Sequence, residues 1–493
     1  MTRVKNLRGS RCLGGKSEPA IGARKRVTTV EQRAGSNNGT TEEETVPARS
    51  LGGEAWSTKL RRINLRSAAN GLMVFNNLGH IIDLKMMFDC YRELDGKKAV
   101  GIDGVTKLEY GQNLEENLKA LLTSVRRGTY TPKPSKIVEI PKEDGSNRPL
   151  LISCLEDKII QLAMAKILEA IYEPIFLPGS YGFRPGRSAH DALKDLQNQM
   201  FRNTNGAVIE IDLKQYFNTI PQPHLEEMLK AKITDSRFLG LIHTLLKAPT
   251  LTKDGIVPNT TGVPQGSICS PILANIYLHY VIDQWVEDTK AGGHIQGRFN
   301  VIRFADDLVF SFESVREAER FFKVLPKRLA KYGLTMNLEK SSFQPGGQAS
   351  ITKGQVPKPR FKFLGFEVRW IKGRNGRLRP AYNPRLDRMN KRLREVKAFL
   401  WRNLNAPDHM EILKKVDAVV RGWVNYFAIS DCSHRVWRFI RRVRHLIHKW
   451  FNRRGGNKYM GWDKVQKVLD AAGFTEQFNI RSVFPTREKQ TNH

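Results

Sequence analysis

The sequence predicts an α+β protein that continues into a basic helical region, and three observations support this fold class. Between Pro132 and Phe343, short apolar strand-like runs alternate with helical segments, which is typical of a mixed domain. Beyond Pro384, apolar residues recur at steps of three and four, the period of a helix. The chain has 493 residues, of which 40% are hydrophobic, so it is long enough to bury two or three cores.

Composition and periodicity divide the chain into six predicted segments. Residues 1–55 scatter charge among Gly, Ser and Thr without an apolar block, and we expect a flexible basic arm there. The other five segments are 56–131, an amino-terminal helical extension; 132–345, the mixed domain; 346–384, a junction; 385–454, the basic helices; and 455–493, a tail.

Local patterns predict the elements in order. Helical apolar spacing runs from Asp83 to Gly128 and is interrupted by a turn at Gly101-Ile102-Asp103-Gly104. From Lys136 to Ile152, two apolar runs flank Glu143-Asp144-Gly145, a pattern that predicts a β-hairpin. The stretch Pro345–Arg360 is rich in Gly, Lys and Pro, which indicates an internal boundary or an exposed loop.

The charge balance indicates a polyanionic partner. Lys and Arg number 81 against 49 Asp and Glu, a formal net charge of +32. No stretch approaches the roughly 18 uninterrupted apolar residues of a spanning helix, so we expect no membrane partner. The five cysteines have neither zinc-like nor disulfide-like spacing, which favours a reducing, cytoplasmic location.

Three aspartates are the candidate catalytic residues. Asp306 and Asp307 interrupt two β-type runs in Asn300–Phe312, which predicts a tight hairpin with both carboxylates at its tip. Asp212 ends the apolar strand Ala207–Leu213. Carboxylates on two neighbouring strands suit nucleotidyl transfer, in which two Mg²⁺ ions about 4 Å apart activate a 3′ hydroxyl and stabilise the leaving pyrophosphate. An Asp-Asp pair at a turn is also a common structural feature, so this pattern alone leaves both interpretations open.

Two further segments lie between the aspartate strands. Phe217 stands at the start of the helix that follows Asp212, where core packing is its alternative role. The stretch Gly262–Pro271 reads GVPQGSICSP, a loop that runs into a helix with Ser270 as the expected N-cap and Pro271 in the first turn. Glycines that lead into a helix N-terminus allow a base or a phosphate to approach the backbone closely. The position of this loop between the two strands favours a nucleotide site.

The order of these motifs resembles that of reverse transcriptases, and in particular those encoded by group II introns. The palm-like order is Asp212, Gln265-Gly266, Asp306-Asp307, Lys340 and FLGF at Phe363–Phe366. Four blocks look like group II intron-encoded proteins: GIDGV (Gly101–Val105), IPKEDGSNRPL (Ile140–Leu150), SYGFRPGRSAHDAL (Ser180–Leu193) and the maturase-like RGWVNYF (Arg421–Phe427). The resemblance implies a right-hand polymerase, with fingers and palm in 132–345 and an α-helical thumb and maturase domain in 385–454.

The resemblance also implies roles for individual residues. Asp212, Asp306 and Asp307 would bind two Mg²⁺ ions, with Mn²⁺ as a substitute, and the backbone carbonyl of Leu213 would add a ligand. The ring of Phe217 would clash with a ribose 2′ hydroxyl and so favour deoxynucleotides. The remaining nucleotide-binding residues would be Lys142 and Arg148 on the triphosphate, Gln265 on the template or nucleotide, and Lys340 as a proton donor to pyrophosphate.

The basic carboxyl-terminal helices form the predicted RNA-binding surface. Residues 385–454 contain eighteen Lys or Arg and six Asp or Glu. The candidate RNA-binding residues are Arg388, Lys391, Arg392, Arg421, Arg438, Arg441 and Arg442. Aromatic residues that could stack on unpaired bases are Trp401, Tyr426, Trp437 and Trp450, whereas we expect Trp423 and Phe427 to pack in the core. One helical face should also pack, through Leu386, Met389, Leu393, Val396 and Leu400.

The function implied is an RNA-directed DNA polymerase that copies a group II intron RNA and assists its splicing and mobility. Its partners would be the intron RNA, a DNA target or primer, and dNTPs, in a bacterial cytoplasm with the nucleoid or RNA. Two alternatives are a domesticated reverse transcriptase of phage defence or spacer acquisition, and a splicing maturase without polymerase activity. The intact aspartates argue against the second. Residues 455–493 contain no cysteine and one histidine, so we expect no HNH-type DNA-cutting domain there.

Overall fold

The computed structural model describes residues 55–141, 147–253, 255–454 and 459–484. Its amino-terminal part is helical, with α1 (Trp56–Ala69), α2 (Leu84–Glu93), α3 (Lys107–Gln112) and α4 (Leu114–Arg127). The predicted turn between helices is present, because Gly104 adopts a φ of +69° and its N–H donates to the carbonyl of Gly101. Thr106 then caps α3 and exchanges hydrogen bonds with Glu109, so the turn leads directly into a helix.

The next elements are β1 (Ser135–Pro141), β2 (Asn147–Ile152), α5 (Leu155–Tyr172), α6 (Ala189–Arg202), β3 (Ala207–Ile211), α7 (Tyr216–Thr219), α8 (Gln222–Lys230), α9 (Ser236–Leu246), β4 (Thr250–Thr252) and β5 (Gly255–Val257). The predicted hairpin is confirmed, since β1 and β2 pair antiparallel with Lys136 opposite Ile152. The predicted turn of that hairpin falls within 142–146, outside the described residues. Strand β4 adds to β1 in parallel, which gives an amino-terminal sheet of order β2-β1-β4-β5.

The chain continues through α10 (Ser270–Leu278), a π-helical turn (His279–Asp283), α11 (Gln284–Ala291), β6 (Phe299–Phe304), β7 (Asp307–Phe312), α12 (Val315–Lys331) and β8 (Ser342–Pro345). Strands β6, β7, β3 and β8 form, in that order, the central sheet, and all of its pairs are antiparallel. The mixed α+β character predicted for this part of the chain is confirmed.

Alternate residues of the central sheet enter two different cores. In β3, Ala207, Ile209 and Ile211 join a core that they share with the amino-terminal helices. Val208 points to the other face and joins a second core with the carboxyl-terminal helices, as Val309 of β7 does. Because side chains of a strand alternate between faces, the near-continuous apolar sequence of these strands is explained by burial on both sides.

A three-stranded junction sheet follows, built from β9 (Arg360–Phe363), β10 (Phe366–Lys372) and β11 (Leu378–Pro384) in the order β11-β10-β9. It is preceded by the short helix α13 (Gln348–Thr352), within the stretch predicted as a boundary or exposed loop. Ile351 of α13 is only 3% exposed and joins the second core, so this stretch is partly packed.

The carboxyl-terminal region is helical, as predicted, with α14 (Leu386–Arg402), α15 (His409–Phe427), α16 (Ser433–Arg454) and α17 (Trp462–Ala471). The expected packed face of α14 is confirmed for Met389, Leu393, Val396 and Leu400. The expectation for Leu386 is wrong: its side chain is 46% exposed, because it occupies the first helical position, before the helix meets its neighbours. Within the described ranges, no helix is both long and apolar enough to cross a bilayer.

A segment after α17 returns to the rest of the protein. Arg481 pairs with the end of α15, where its N–H donates to the carbonyl of Ala428 at 2.8 Å, and Val483 is 1% exposed. The Arg481 guanidinium also contacts the ring of His190 on α6, whose Nε2–H donates to the carbonyl of Tyr426 at 2.8 Å. Residues 474–484 therefore hold α6 and α15 together.

Candidate functional site

The hairpin of β6 and β7 carries two of the three candidate aspartates. Its two-residue connection is Ala305-Asp306, and Phe304 pairs with Asp307, so Asp307 is the first residue of β7. The predicted turn at Asp306-Asp307 is therefore wrong by one residue. The physical reason is that a two-residue hairpin turn needs left-handed backbone at its first position, which Ala305 supplies with a φ of +57°.

The third aspartate lies at the same edge of the central sheet. Ile211 at the end of β3 pairs with Leu308 of β7, which places the next residue, Asp212, beside the start of β7. Asn337 holds Asp212 twice: its N–H donates to the Asp212 carbonyl at 2.8 Å, and its Nδ2 donates to the carboxylate at 3.0 Å. The fold thus places the three aspartates at one edge of the central sheet although they are distant in the chain.

The carboxylates at this edge, which we call the aspartate edge, destabilise one another as anions. Desolvation and the charge of Asp212 raise the pKa of Asp306. Desolvation, Asp306 and Asp212 together raise the pKa of Asp307 to about 7. Asp307 is nonetheless reached by solvent. Excess negative charge in a partly desolvated environment suits the binding of a cation.

The donor atoms at the aspartate edge fit a hard divalent ion. Carboxylate oxygens are the ligands that Mg²⁺ prefers, and one or two of them suffice when waters and substrate phosphates complete the shell. Among the described residues, no three His, Cys, Asp or Glu side chains converge as a ready-made metal site. Asn337 donates to the Asp212 carboxylate, and the charge of Asp212 contributes to the raised pKa values of Asp306 and Asp307.

A buried ion pair supports the hairpin of β6 and β7. This pair was not predicted from the sequence. Arg303 on β6 is fully buried and donates from Nε and Nη2 to the carboxylate of Asp283 at 2.9 and 2.6 Å. Its Nη1 donates to Oδ1 of Asn275 on α10 at 2.7 Å. The side chain of Asn275 in turn donates to the carbonyl of Gly182 at 2.7 Å. The position of the hairpin is thereby fixed relative to α10 and to the SYGF segment.

The SYGF segment packs along the outer side of β6. The N–H of Arg303 donates to the carbonyl of Gly179, and the N–H of Tyr181 donates to the carbonyl of Arg303, both at 2.8 Å. A Cβ on Gly182 would lie 2.3 Å from the backbone nitrogen of Ala305, so only glycine allows this approach to the hairpin turn. The block Ser180–Leu193 thus supports the turn that carries Asp306.

The GVPQG loop connects Phe217 with the amino-terminal sheet. The N–H of Val263 donates to the carbonyl of Phe217 at 2.8 Å, and Leu151 of β2 donates its N–H to the carbonyl of Gln265 at 2.7 Å. Gly266 has a φ of +117°, and a Cβ there would lie 2.3 Å from the carbonyl oxygen of Leu151. The expected cap of α10 is wrong, because Ser270 is the first helical residue and its hydroxyl donates to the carbonyl of Pro264 at 2.7 Å.

The predicted nucleotide-binding residues are only partly gathered around the aspartate edge. Arg148 is exposed on β2, and its charge lowers the pKa of Asp306, so it lies near the site. Phe217 is half-buried on α7 and meets Tyr216 edge-on at 5.5 Å, so part of its ring also packs in the core. Lys340 is exposed in the turn after Asn337, to whose carbonyl its N–H donates at 3.2 Å. Lys142 lies outside the described residues.

Most of the predicted RNA-binding residues lie on the surface of the carboxyl-terminal helices. The exposed ones are Lys391, Arg392, Arg421, Arg438, Arg441 and Arg442. Arg392 and Arg421 form ion pairs with Glu395 and Asp417, both at 2.8 Å. Arg388 differs, because it is half-buried at the junction of the helical region with the aspartate edge, where its charge lowers the pKa of Asp307.

The aromatic residues of this region divide into core and surface. The expected packing of Trp423 and Phe427 is confirmed, and the Trp423 ring stacks on Phe439 at 4.0 Å. The expectation that Trp450 could stack on bases is wrong, since it is 3% exposed and packs in the second core. Two predicted stacking residues remain accessible: Trp401 is 53% exposed and Trp437 is 48% exposed.

Comparison with known families matches two separate parts of the chain. Residues 140–368 match the family described as reverse transcriptase (RNA-dependent DNA polymerase). Residues 386–468 match the family described as group II intron, maturase-specific domain. The first match contains all three aspartates, and the second contains the basic helices α14 to α16.

Three relatives are similar to parts of this chain. The group II intron-encoded protein LtrA of Lactococcus lactis subsp. cremoris is 37% identical over 235 residues, which are 47% of this chain and 38% of that protein. Protein YkfC of Escherichia coli is 37% identical over 201 residues, 40% of this chain and 52% of the relative. A 91 kDa protein in the cob intron of Schizosaccharomyces pombe is 42% identical over 173 residues, 35% of this chain and 21% of the relative. The chain thus spans about half or less of the length of these relatives.

Proposed function

We propose that this chain, which belongs to the group II intron reverse transcriptase and maturase family, copies RNA into DNA at the aspartate edge and binds its intron RNA through the helical region. The observation that supports the proposal is that Asp212, Asp306 and Asp307 lie at one edge of the central sheet. We assign the central sheet to the palm, the amino-terminal sheet to the fingers and α14 to α17 to the thumb and maturase region.

The three aspartates would hold the divalent ions, with the backbone carbonyl of Leu213 as a further ligand. When bound, Mg²⁺ lowers the pKa of a primer 3′ hydroxyl and neutralises charge on the triphosphate. The support from the structure is electrostatic: desolvation and the neighbouring acids make each carboxylate of the hairpin a costly anion, as the raised pKa values of Asp306 and Asp307 indicate. A bound divalent ion would offset that cost.

The chain's own residues would shape the nucleotide site around these ions. Arg148 and Lys142 of the fingers hairpin would bind the triphosphate, for which a guanidinium offers paired donors and an ammonium a point charge. Phe217 would set the preference for deoxynucleotides, and its carbonyl hydrogen bond with Val263 fixes the backbone that carries the ring. Gln265 would position the template or nucleotide, and Lys340 would donate a proton to pyrophosphate.

The helical region would bind the intron RNA and assist splicing. Support comes from the match to the maturase-specific domain and from the exposed arginines of α16, which are available to phosphates. A DNA target or primer and dNTPs would be the other partners, as copying RNA into DNA requires.

Primer extension on an RNA template, with the purified full chain and Mg²⁺, tests the polymerase proposal. Asp306→Asn should reduce incorporation by at least about 100-fold, because one ligand charge is lost while the shape of the side chain is kept. The matched control is Asp288→Asn, which alters an exposed aspartate of α11 and should behave as wild type.

Equal incorporation by wild type and Asp306→Asn would refute the polymerase proposal. A splicing assay on the cognate intron RNA, with the same two proteins, distinguishes support of splicing from polymerisation. Splicing support that survives in Asp306→Asn, with polymerisation lost, is the result we expect from two sites on one chain.

A further inference from the structure

A cluster of aromatic rings lies on the surface where α16 ends and α17 begins. Trp462 stacks face to face on His448, with centroids 4.2 Å apart and an interplanar angle of 10°. Tyr459 meets His448 edge-on at 5.8 Å, and His445 meets Trp462 edge-on at 4.9 Å. We call these four rings the Trp462 platform.

The platform is accessible to ligands, unlike Trp423 of α15 and Trp450 of α16, which pack in the second core. Tyr459 is 72% exposed and Trp462 is 39% exposed, whereas Trp423 and Trp450 are 7% and 3% exposed. The attachment of α17 to the core is already provided by Val465 and Leu469, both fully buried. The exposed rings are therefore not required to anchor α17, and large exposed aromatic surface is a mark of interaction sites.

The platform is also held in place before any ligand arrives. Asn452 of α16 accepts a hydrogen bond from the N–H of Met460 at 2.7 Å and donates to the carbonyl of Met460 at 3.1 Å. This pair fixes the backbone next to Tyr459, whose hydroxyl lies 3.4 Å from Nε2 of His448. A preformed arrangement of rings loses little conformational entropy on binding.

A stripe of Arg and His side chains leads to the platform along α16. Arg438, Arg441, His445 and His448 follow at steps of three and four residues, which places them on one face of the helix. The stripe extends about 15 Å at 1.5 Å per residue. Exposed Lys449 lies one residue beyond His448, and Asp463 is the exposed acidic neighbour at the start of α17. Phosphates would be favoured along this stripe, and a cationic ligand such as methyl-lysine would be repelled.

We propose that the Trp462 platform stacks an unpaired base of a single-stranded nucleic acid whose phosphates lie along Arg438 and Arg441. The inference rests on the proposed RNA-binding function and assigns it a specific subsite. Stacking requires only the face of a base, so the site tolerates any sequence and excludes paired bases, whose faces are already covered.

The test measures binding of the full chain to an unstructured RNA of about 10 nucleotides that contains one 2-aminopurine, at several KCl concentrations. Trp462→Leu should weaken binding about 5- to 150-fold, the effect of removing one stacking ring. The salt dependence should stay unchanged, because no cation is removed. Arg441→Gln should instead reduce the slope of log K against log salt by about 0.7.

Three comparisons complete the design. Trp462→Phe should keep most of the affinity, and Phe201→Leu, which removes a 51% exposed ring of α6, should keep all of it. A duplex of the same length should bind equally to wild type and Trp462→Leu. Single-stranded DNA identifies the source of the base: an equal loss on DNA indicates general stacking, and a loss on RNA alone indicates a site for the intron.

Unchanged affinity of Trp462→Leu for single-stranded RNA would overturn the inference, and so would an equal loss on the duplex. Primer extension distinguishes failure of the stacking proposal from failure of the proposed polymerase function. Trp462→Leu should polymerise as wild type does on a saturating primer-template, whereas a wild-type chain without extension would refute the polymerase proposal and leave the stacking result standing.

Discussion

Arg388 of α14 lies directly against Gly365 of the junction sheet: a Cβ on that glycine would come within 2.8 Å of Nη1 of Arg388. Gly365 and Leu364 form the turn between β9 and β10 with φ values of +82° and +47°. Since Arg388 also lowers the pKa of Asp307, the helical region places a positive charge beside the aspartate edge.

Gly365→Ala should therefore act through Arg388. The new methyl group would displace the guanidinium and would strain a left-handed backbone, at a cost of about 1 kcal/mol in stability. We expect Gly365→Ala and Arg388→Gln to weaken primer-template binding to a similar extent, as measured by anisotropy. Arg402→Gln, at the exposed end of the same helix, is the control. Normal binding by Gly365→Ala together with weak binding by Arg388→Gln would show that the contact does not position the arginine.

The buried pair of Arg303 and Asp283 should dominate the stability of the hairpin. Their side chains are 0% and 2% exposed, so Asp283→Ala leaves an uncompensated buried charge and should cost about 3–5 kcal/mol in the free energy of unfolding. Arg298→Ala, which breaks an exposed pair with Glu313, should cost less than about 1 kcal/mol. Thermal unfolding of the two variants measures the difference, and equal losses would contradict the argument.

Phe217→Val should relax the selection of the sugar. The smaller side chain leaves room for a 2′ hydroxyl, so ribonucleotide incorporation should rise at least about 10-fold relative to deoxynucleotide incorporation. Single-nucleotide extension with matched dNTP and rNTP measures the ratio. Because the dNTP rate serves as an internal control, a fall in both rates would indicate a packing role for the ring instead.

Divalent ions should stabilise the folded protein through the aspartate edge. Mg²⁺ at ten times its dissociation constant should raise the free energy of unfolding by about 1.4 kcal/mol and the melting temperature by about 1–2 °C. Asp306→Asn should lose most of this increase, and EDTA should reverse it in wild type. NaCl at matched ionic strength controls for general screening, and an equal effect of NaCl would exclude a specific site.

The ionisation of Asp157 should make the free energy of unfolding of the protein depend on pH. Burial raises its pKa from 3.8 to about 6, even though the Tyr130 hydroxyl donates to the carboxylate. The folded state thus binds the proton more tightly than the unfolded state, and the penalty for the buried anion grows as pH rises from about 4 to about 6. Asp157→Asn should stabilise the protein by up to about 3 kcal/mol at pH 7.5 and hardly at all at pH 4. Unfolding curves at the two pH values would refute the argument if the variant gained nothing at pH 7.5.

The sequence predicted the parts of the site that depend on local pattern. The strands around Asp212 and Asp306, the hairpin of β1 and β2 and the helix after Pro384 all follow from apolar periodicity and turn residues. The exact register of the Asp306 turn could not be predicted in this way, because alanine rarely adopts the left-handed conformation that Ala305 takes here.

Local sequence pattern does not predict contacts between distant segments, but one residue of β6 did indicate such a contact. Phe299, Val301 and Arg303 occupy alternate positions of β6 and are all buried, so an arginine stands where an apolar residue was expected. Because a buried guanidinium needs a partner, this position could have predicted an acid such as Asp283. The burial of Trp450 and the location of Arg388 depend on how the helices pack, which periodicity does not specify.

The two-sided burial of the central sheet makes the carboxyl-terminal helices a structural support of the proposed polymerase site. Their removal would expose Val208, Ile302 and Val309 to water on the strands that end at the aspartates. The regions proposed for RNA binding and for DNA synthesis would therefore unfold as one cooperative unit. A cavity in the core of the helical region would lower both activities together. Neither half could be discarded without repacking the other.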